Sequence, residues 1–165
     1  MQQKLYMLCV EDEADVLDVV VRELSVLEDV FPIETAGSAD EAREALKRIE
    51  ADGDALGLIF CDHMMPGENG VELLVWMQSQ PQWKPSRKVL LTGQAGLDAT
   101  VKAVNEAGLS HYIAKPWDQD ELVRVAREQL SRYVAERKLN PLPYLKHLVM
   151  DIVGDTLRAS SASDT

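Results

Sequence analysis

Five short apolar runs alternate along the chain with longer stretches in which apolar residues recur every three or four positions, and this alternation constrains the fold more than any other feature. Short apolar runs are typical of buried strands, whereas the longer spacing is that of helices that bury one face. Strands and helices that alternate in this way form a parallel sheet with helical crossovers. The predicted strands cover residues 5–10, 32–36, 56–61, 87–92 and 110–114.

A helix is predicted after each of these strands. The inward stripe of the first helix consists of Val16, Val20, Leu24 and Leu27. The other helices are expected from Ser38 onward, over about 70–78, over about 95–107 with Gly108 as a left-handed end, and from Asp118 onward. Because crossovers are right-handed, these helices must cover both faces of a single sheet if its strand order reverses somewhere. The pattern therefore predicts an α/β fold with a doubly wound (βα)5 five-stranded parallel sheet.

The chain beyond the fifth helix is predicted to form an extension. The sequence "NPLP" at 140–143 ends that helix, and apolar residues from Tyr144 to Leu157 then recur at helical spacing, which predicts one short amphipathic helix. We therefore expect a domain over residues 1–138 and a helical extension with a disordered tail over 139–165. Such a short helix does not fold alone, so it docks on the domain, pairs with another chain or begins a further region.

The charge and the cysteines of the chain narrow its partners and its location. There are 17 basic and 28 acidic residues, a formal net charge of -11 at pH 7, and the basic residues form no cluster along the sequence, which predicts no direct nucleic-acid binding by this segment. The N-terminus fits neither a signal peptide nor a membrane span. Cys9 and Cys61 lie in apolar runs, where a cysteine is a small buried hydrophobe, so we expect a reducing, cytoplasmic location without a membrane partner.

Polar side chains follow four of the five predicted strands at the points where these strands end. Glu11 and Asp12 come after the first strand, Asp62 after the third, Thr92 after the fourth and Lys115 after the fifth. Ligands of doubly wound sheets bind outside the carboxyl ends of the strands. We therefore expect these side chains to lie close together and to form the functional site.

Three of these side chains are carboxylates, which raise one another's pKa unless a cation lies between them. Ligation by oxygen alone suits Mg²⁺, so Glu11, Asp12 and Asp62 predict a magnesium site. A carboxylate beside Mg²⁺, a lysine and a hydroxyl can attack a phosphorus atom while the two cations neutralise the oxygens. Asp62, which ends the apolar run "GLIFC", is therefore the candidate phosphoryl acceptor, with Lys115 and Thr92 beside it.

Four motifs, "LCVEDEADVL", "LIFCDHMMPGENGVELL", "VLLTGQAG" and "YIAKPWD", occur in this order along the chain, and the resemblance that they carry covers about residues 4–135. Together they resemble the receiver domain of two-component response regulators. The resemblance implies a flavodoxin-like receiver fold in which Asp62 takes a phosphoryl group from a histidine kinase or a histidine phosphotransfer protein. It also implies Mg²⁺ as cofactor, bound by Glu11, Asp12, Asp62 and the backbone carbonyl of Met64, and a phosphoryl group held by Thr92 and Lys115. Glu11 stands where many members have aspartate, and its longer side chain can reach the metal through water.

The resemblance further implies how the signal leaves the site. Phosphorylation draws Thr92 inward, and Tyr112 matches the aromatic residue whose rotamer follows that movement. The face formed by the fourth helix, the fifth strand and the fifth helix then meets a downstream protein, an output region outside this sequence or a second copy of the chain. The C-terminal helix is another surface for a homodimer. The chain is not expected to be an enzyme beyond self-phosphorylation and autodephosphorylation.

Other functions are open at this point. A Mg²⁺-dependent phosphohydrolase with an aspartyl-phosphate intermediate is disfavoured, because Met64 stands where such enzymes carry a second acid, two residues after Asp62. A non-phosphorylated receiver-like interaction module is disfavoured by the complete set of site residues. The spacing of Cys61, His63 and His111 matches no zinc motif.

Several single residues near the motifs carry predictions of their own. His63 is expected in a loop or at the surface, and Met64 and Met65 are expected to pack. By the resemblance, Met64 and Gln94 border the path of the attacking water and tune the lifetime of the phosphoryl group. Trp117 either anchors a partner or covers the end of the sheet.

Overall fold

The computed structural model describes residues 3–93 and 105–154, and within them it contains one sheet of five parallel strands. The strand order is β2-β1-β3-β4-β5, as in a doubly wound sheet, so the predicted fold class is confirmed. The predicted strands agree with the observed ones to within a residue at each end. The strands are β1 Leu5–Val10, β2 Ile33–Ala36, β3 Ala55–Asp62, β4 Arg87–Thr92 and β5 His111–Ala114.

Helices follow the strands as the sequence pattern predicts. They are α1 Ala14–Leu24, α2 Ala39–Ala51, α3 Gly70–Gln78, a helical segment at 105–107 (α4) and α5 Gln119–Glu136. The prediction for the fourth helix falls largely on residues 95–104, which lie outside the described residues, and Gly108 follows α4 with φ 65°. The first helix ends at Leu24 and continues as a 3-10 turn to Leu27. No helix in the described ranges is long and apolar enough to cross a membrane.

The helix starts are fixed by side chains that cap free backbone N–H groups. The hydroxyl of Ser38 accepts a hydrogen bond from the N–H of Glu41 at the start of α2, and the carboxylate of Asp118 accepts one from the N–H of Glu121 at the start of α5. Both caps confirm the starts predicted from the spacing of these residues.

Two hydrophobic clusters lie on opposite faces of the sheet, because successive side chains of a strand point to opposite sides. One cluster joins alternate residues of β1, such as Met7 and Cys9, to α1 and α5. The other joins residues such as Leu8 and Cys61 to α2 and α3. Both cysteines are buried free thiols, as predicted, and burial raises the pKa of Cys9 to about 12.

The crevice of the sheet lies above β1 and β3, where the strand order reverses. These two strands are neighbours with Val10 paired to Cys61, so Glu11, directly after β1, and Asp62, the last residue of β3, meet at the same edge. Lys115 directly follows β5, which pairs with β4 through Thr92 and Ala114. The topology therefore brings the strand-end residues of the sequence to one edge of the molecule.

The C-terminal extension differs from its prediction. Within the described residues it forms a 3-10 segment, Leu142–His147, and a helical stretch at 150–154 rather than one amphipathic helix. Leu148 separates the two pieces because its backbone is extended, with ψ 152°. The hydroxyl of Ser131 on α5 holds this break by accepting a hydrogen bond of 2.8 Å from the N–H of Val149.

The extension docks on the domain, which is one of the three possibilities that the sequence left open. Tyr144, Leu148 and Val153 are buried in the cluster between α1 and α5. The ring of Tyr144 stacks on Phe31 at 5.8 Å, and its hydroxyl donates a hydrogen bond of 2.7 Å to the carbonyl of Gln3. These residues therefore share the core of the domain, and the division of the chain at residue 138 stays a prediction.

Candidate functional site

The backbone at the carboxyl edge of the sheet is pinned by hydrogen bonds between neighbouring strand ends. The N–H of Glu11 donates to the carbonyl of Ala36, and the N–H of Lys115 donates to the carbonyl of Thr92 over 2.7 Å. The N–H of His63, directly after Asp62, donates to the carbonyl of Leu91. Every side chain of the site belongs to one of these hydrogen-bonded residues or to its neighbour in the sequence. The bonds therefore fix the backbone positions from which these side chains extend.

The centre of the site is an ion pair between Lys115 and Asp62. The Lys115 Nζ donates a hydrogen bond of 2.7 Å to Asp62 Oδ1 and lies 3.8 Å from Glu11 Oε2. Asp62 is 4% exposed and Glu11 is 2% exposed, so both carboxyl groups are nearly out of contact with water. The lysine compensates the aspartate that the sequence places at the end of an apolar strand.

Three carboxyl groups converge beside this lysine. Glu11, Asp12 and Asp62 each offer an oxygen within 4.8 Å of the other two. Glu11 Oε1 accepts a hydrogen bond of 3.2 Å from the N–H of Glu13, whereas Glu11 Oε2 is buried without a hydrogen-bond partner. A buried oxygen left in this state costs free energy, and an oxygen-binding cation would satisfy it. The donor set therefore fits Mg²⁺.

The electrostatics of the site are those of crowded acids around one base. Burial raises the pKa of Glu11 to about 7; the hydrogen bond from Glu13 lowers it, the nearby Asp62 raises it and Lys115 lowers it. Burial alone would lower the pKa of Lys115, but its hydrogen bond to Asp62 and the charges of Asp62, Glu11 and Glu13 together raise it. Lys115 is therefore a cation at neutral pH, while Glu11 gains or loses a proton there.

The loop after Asp62 packs against the acceptor without room for a side chain. A Cβ on Gly70 would lie 2.1 Å from the carbonyl oxygen of Asp62, so only glycine fits this position. The N–H of Gly70 donates to the carbonyl of His63, and Gly67 has φ 77°. Asn69 and Glu72 form a capping box that starts α3 directly after the loop.

Thr92 and Tyr112, the two residues predicted to transmit the signal, differ in environment. Thr92 is 3% exposed, and its hydroxyl donates a hydrogen bond of 3.0 Å to the carbonyl of Gly93. Tyr112 is 52% exposed on β5, with its ring 6.3 Å from that of His111. The described structure thus places Thr92 at the buried edge and Tyr112 on the outer surface, and their roles stay predictions.

Some predictions for single residues are wrong or are narrowed by the structure. His63 lies in the loop as expected but is buried, and its Nδ1 has no hydrogen-bond partner. Met65 packs in the core as expected, whereas Met64 is 72% exposed. Trp117 packs on the core cluster and donates from Nε1 to Glu23, which favours covering the sheet over anchoring a partner. Gln94 lies outside the described residues.

Two residues near the site, Arg43 and Glu68, were not predicted from the sequence. Arg43 of α2 donates from Nη2 to Glu68 in the loop after Asp62, over 2.5 Å, and its guanidinium lies 4.6 Å from the centre of the Trp76 ring. The sequence contains no signal for this contact, because Arg43 lies among the polar positions of an ordinary amphipathic helix. Only the packing of α2 beside α3 brings Arg43 to the loop.

Comparison with known proteins agrees with this geometry. The family described as the response regulator receiver domain matches residues 7–127. The hydrogenase transcriptional regulatory protein HoxA of Cupriavidus necator is 35% identical over 121 residues, which are 73% of this chain and 23% of that protein. The chemotaxis protein CheY1 of Helicobacter pylori is 29% identical over 67% of this chain and 85% of its own length. The chain thus spans about a quarter of the length of the two HoxA proteins among its curated relatives.

Solved structures lead to the same family. The signal receiver domain of an HD domain-containing protein from Pseudomonas fluorescens Pf-5 superimposes with a TM-score of 0.70 at 26% identity, over 79% of this chain and 98% of that chain. A CheY-like receiver domain protein from Methanospirillum hungatei JF-1 gives a TM-score of 0.69 at 25% identity, over 81% and 99%. The chain therefore belongs to the response regulator receiver domain family of two-component signalling systems.

Proposed function

We propose that this chain is a phosphorylation-controlled switch in which Asp62 accepts a phosphoryl group from a histidine kinase or a histidine phosphotransfer protein. The observation that carries the proposal is the buried Asp62, hydrogen-bonded by Lys115 over 2.7 Å and crowded by Glu11. A lysine that already touches the acceptor is placed to neutralise a phosphoryl group formed on it.

The chemistry follows from the carboxylate of Asp62. One of its oxygens attacks the phosphorus of a phosphohistidine, the new O–P bond forms while the P–N bond breaks, and the imidazole leaves. Lys115 holds Asp62 Oδ1, which orients the carboxylate and leaves the second oxygen for the attack. The burial of Asp62 keeps competing water from its carboxylate.

Glu11, Asp12 and Asp62 would hold Mg²⁺ together with the backbone carbonyl of Met64. When bound, Mg²⁺ neutralises charge on the phosphoryl oxygens. The support on the protein side is the buried and unpartnered Glu11 Oε2 among three converging carboxyl groups. The exposed side chain of Met64 is compatible with a role for its backbone alone.

The signal would leave through Thr92 and Tyr112. The hydroxyl of Thr92 gives up one hydrogen bond, to the carbonyl of Gly93, when it turns to the phosphoryl group, and one such exchange costs little. Tyr112 is half-exposed and can follow. The face around β5 then binds a downstream protein, a second copy of the chain or an output region outside this sequence. The HoxA relatives are named as transcriptional regulatory proteins. The compartment proposed for this relay is the cytoplasm.

Intact mass spectrometry tests the proposal. The chain is incubated with a small phosphodonor, acetyl phosphate, with and without Mg²⁺, and one phosphoryl group should be gained only with the metal. The variant Asp62→Asn should gain none, whereas Asp54→Asn, which changes an aspartate at the other end of β3, should label like the wild type. Size-exclusion chromatography of both samples reports dimerisation.

Labelling that persists in Asp62→Asn would overturn the assignment of the acceptor. A chain that gains no phosphoryl group from any donor would instead be a passive interaction module. Steady release of phosphate from phosphate esters would support a phosphohydrolase, for which the exposed Met64 offers no second acid.

A further inference from the structure

The loop between Asp62 and α3 is fixed at its two ends but not in its middle. At one end the N–H of His63 is bound to β4, and at the other the N–H of Gly70 returns to the carbonyl of His63. Between them, within the part of the chain that the structure describes, residues 64–68 make no backbone hydrogen bond to one another or to the rest of the domain. The position of this stretch therefore depends on side chains.

Two side chains hold that stretch. Met65 is buried in the cluster on the side of α2 and α3, and it supplies packing without direction. Glu68 accepts a hydrogen bond from Arg43. Among the described residues, this is the only hydrogen bond that a side chain of residues 64–68 makes. The loop is thus tied to α2 by one charged pair.

Arg43 is itself held from three sides. Its Nη1 lies 3.3 Å from Asp40 one turn earlier on α2, its Nη2 meets Glu68, and its guanidinium lies over the ring of Trp76 on α3. The side chains of Arg43 and Glu68 are 23% and 30% exposed, so solvent screens the pair less than it screens a surface ion pair. The planar guanidinium can stack on a ring and donate in its own plane together, which an ammonium cannot do.

We propose that Arg43 is a positioning residue that, through Glu68, fixes the loop after Asp62 and thereby sets the affinity of the site for Mg²⁺. The inference rests on the proposed function, since it concerns the loop that contains the carbonyl of Met64. Arg43 touches none of the acidic groups of the site and acts on them only through the loop. A loop that is free to move would present that carbonyl in many positions, and the metal would then bind more weakly.

The first test compares Mg²⁺ binding by isothermal titration calorimetry in variants of the whole 165-residue chain. Arg43→Met keeps the aliphatic stem over Trp76 but removes the ion pair, and Glu68→Gln removes the charge from the other side. Each should raise the dissociation constant about tenfold, and the double variant should add little to either single one. Arg43→Lys should recover part of the loss, because it restores the charge without the planar fork. The matched control is Arg48→Met, because Arg48 lies on the same helix as Arg43 and its exposed ion pair is with Glu34 on β2.

A second readout separates positioning from chemistry. The rate of labelling from acetyl phosphate should fall in Arg43→Met at low Mg²⁺ and return to the wild-type rate when Mg²⁺ saturates. In the absence of metal, the ¹H–¹⁵N heteronuclear NOE of Gly67 and Glu68 should drop in Arg43→Met and stay unchanged in Arg48→Met. Glu68→Gln alters a loop residue outside the core and keeps the test decisive if Arg43→Met folds poorly.

Each result has one reading. If Arg43→Met and Glu68→Gln both bind Mg²⁺ as tightly as the wild type does, this inference is overturned and the proposed function is left intact. A labelling defect that saturating Mg²⁺ does not repair would also overturn it. A wild-type chain that neither binds Mg²⁺ nor takes a phosphoryl group would overturn the proposed function and the inference together.

Discussion

Buried polar groups at the two ends of the sheet differ in whether they have hydrogen-bond partners. At the amino end, where the C-terminal extension docks, the hydroxyl of Ser131 is fully buried and both donates to the carbonyl of Arg127 and accepts from Val149. Arg127 in turn donates to the carbonyl of His147. At the carboxyl end, Glu11 Oε2 is buried without a hydrogen-bond partner among crowded acids.

The difference separates a surface built for stability from a site whose groups suit the binding of a cation. A satisfied polar group fixes the docking geometry at little cost, whereas an unsatisfied carboxylate lowers the stability of the folded protein. A protein keeps such a group where a bound cation removes the cost. We therefore expect changes at the two ends to differ in size, in pH dependence and in their response to Mg²⁺.

The largest effect is expected for Gly70→Ala at the carboxyl end. The new methyl group would lie 2.1 Å from the carbonyl oxygen of Asp62, and the backbone there cannot move without breaking the loop, so the free energy of unfolding should fall by more than about 3 kcal/mol. Urea denaturation measures the loss. The control Gly53→Ala has a positive φ but no atom within 4 Å, and should cost only about 1–2 kcal/mol. Equal losses in both variants would contradict the close contact.

The next largest effect is expected for Leu148→Ala in the docked extension. Leu148 is 3% exposed in the core shared with α1 and α5, so its truncation should lower the free energy of unfolding by about 3 kcal/mol. Leu142→Ala, in the same segment but 62% exposed, should change it by less than about 0.5 kcal/mol. Labelling of Asp62 in the folded fraction should stay normal. A loss of labelling without a loss of stability would show that the docked extension and the site at Asp62 are coupled.

The pH dependence of stability should come from Glu11. Its pKa is raised from 4.5 to about 7 in the folded chain, so the folded state binds this proton more tightly than the unfolded state does. The stabilisation is complete below pH 4.5 and is lost as the pH rises past 7, by roughly 3 kcal/mol at most. Urea denaturation of the metal-free wild type and Glu11→Gln at pH 4.5 and pH 8 measures it as a change in their difference. Saturating Mg²⁺ should reverse the change, and a difference that stays flat with pH would refute it.

The smallest effect is expected for Asp29→Asn at the docking surface. Hydrogen bonds from Lys146 and His147 lower the pKa of the exposed Asp29 from 3.8 to about 2. The stabilisation is therefore present above pH 4 and disappears as the pH falls towards 2. Melting temperatures of both proteins should differ slightly at pH 6 and converge near pH 2, and high salt should reduce the difference at pH 6. A difference that grows on acidification would show that the pair does not stabilise the folded state.

The sequence predicted more of the carboxyl end than of the amino end. The sequence could place five residues together because each stands at the end of a strand or just after it, and parallel strands end at one edge. They are Glu11, Asp12, Asp62, Thr92 and Lys115. The sequence left three possibilities for what the extension packs against. The single helix predicted for it is interrupted at Leu148. Apolar spacing indicates that a face is buried without saying against which partner.

The prediction that Met64 packs is wrong, and the prediction for His63 gave its place in the loop but not its burial, because long-range packing decides both. His63 and Met64 are neighbours in the same loop, yet the first is buried and the second is exposed. The alternation of a strand stops at Asp62, and no local rule replaces it in a loop shaped by Gly67 and Gly70.

By itself, the sequence determined the order of strands and helices, the capped starts of α2 and α5, and which polar residues stand at the strand ends. These features depend on the period of neighbouring side chains and on the hand of the chain, which are local properties. The tertiary structure alone decided that Arg43 meets Glu68, that Trp117 lies on α1, and that the extension closes the core beside Phe31. Such contacts join residues far apart in the chain, and they form only where the packing of whole helices brings those residues together.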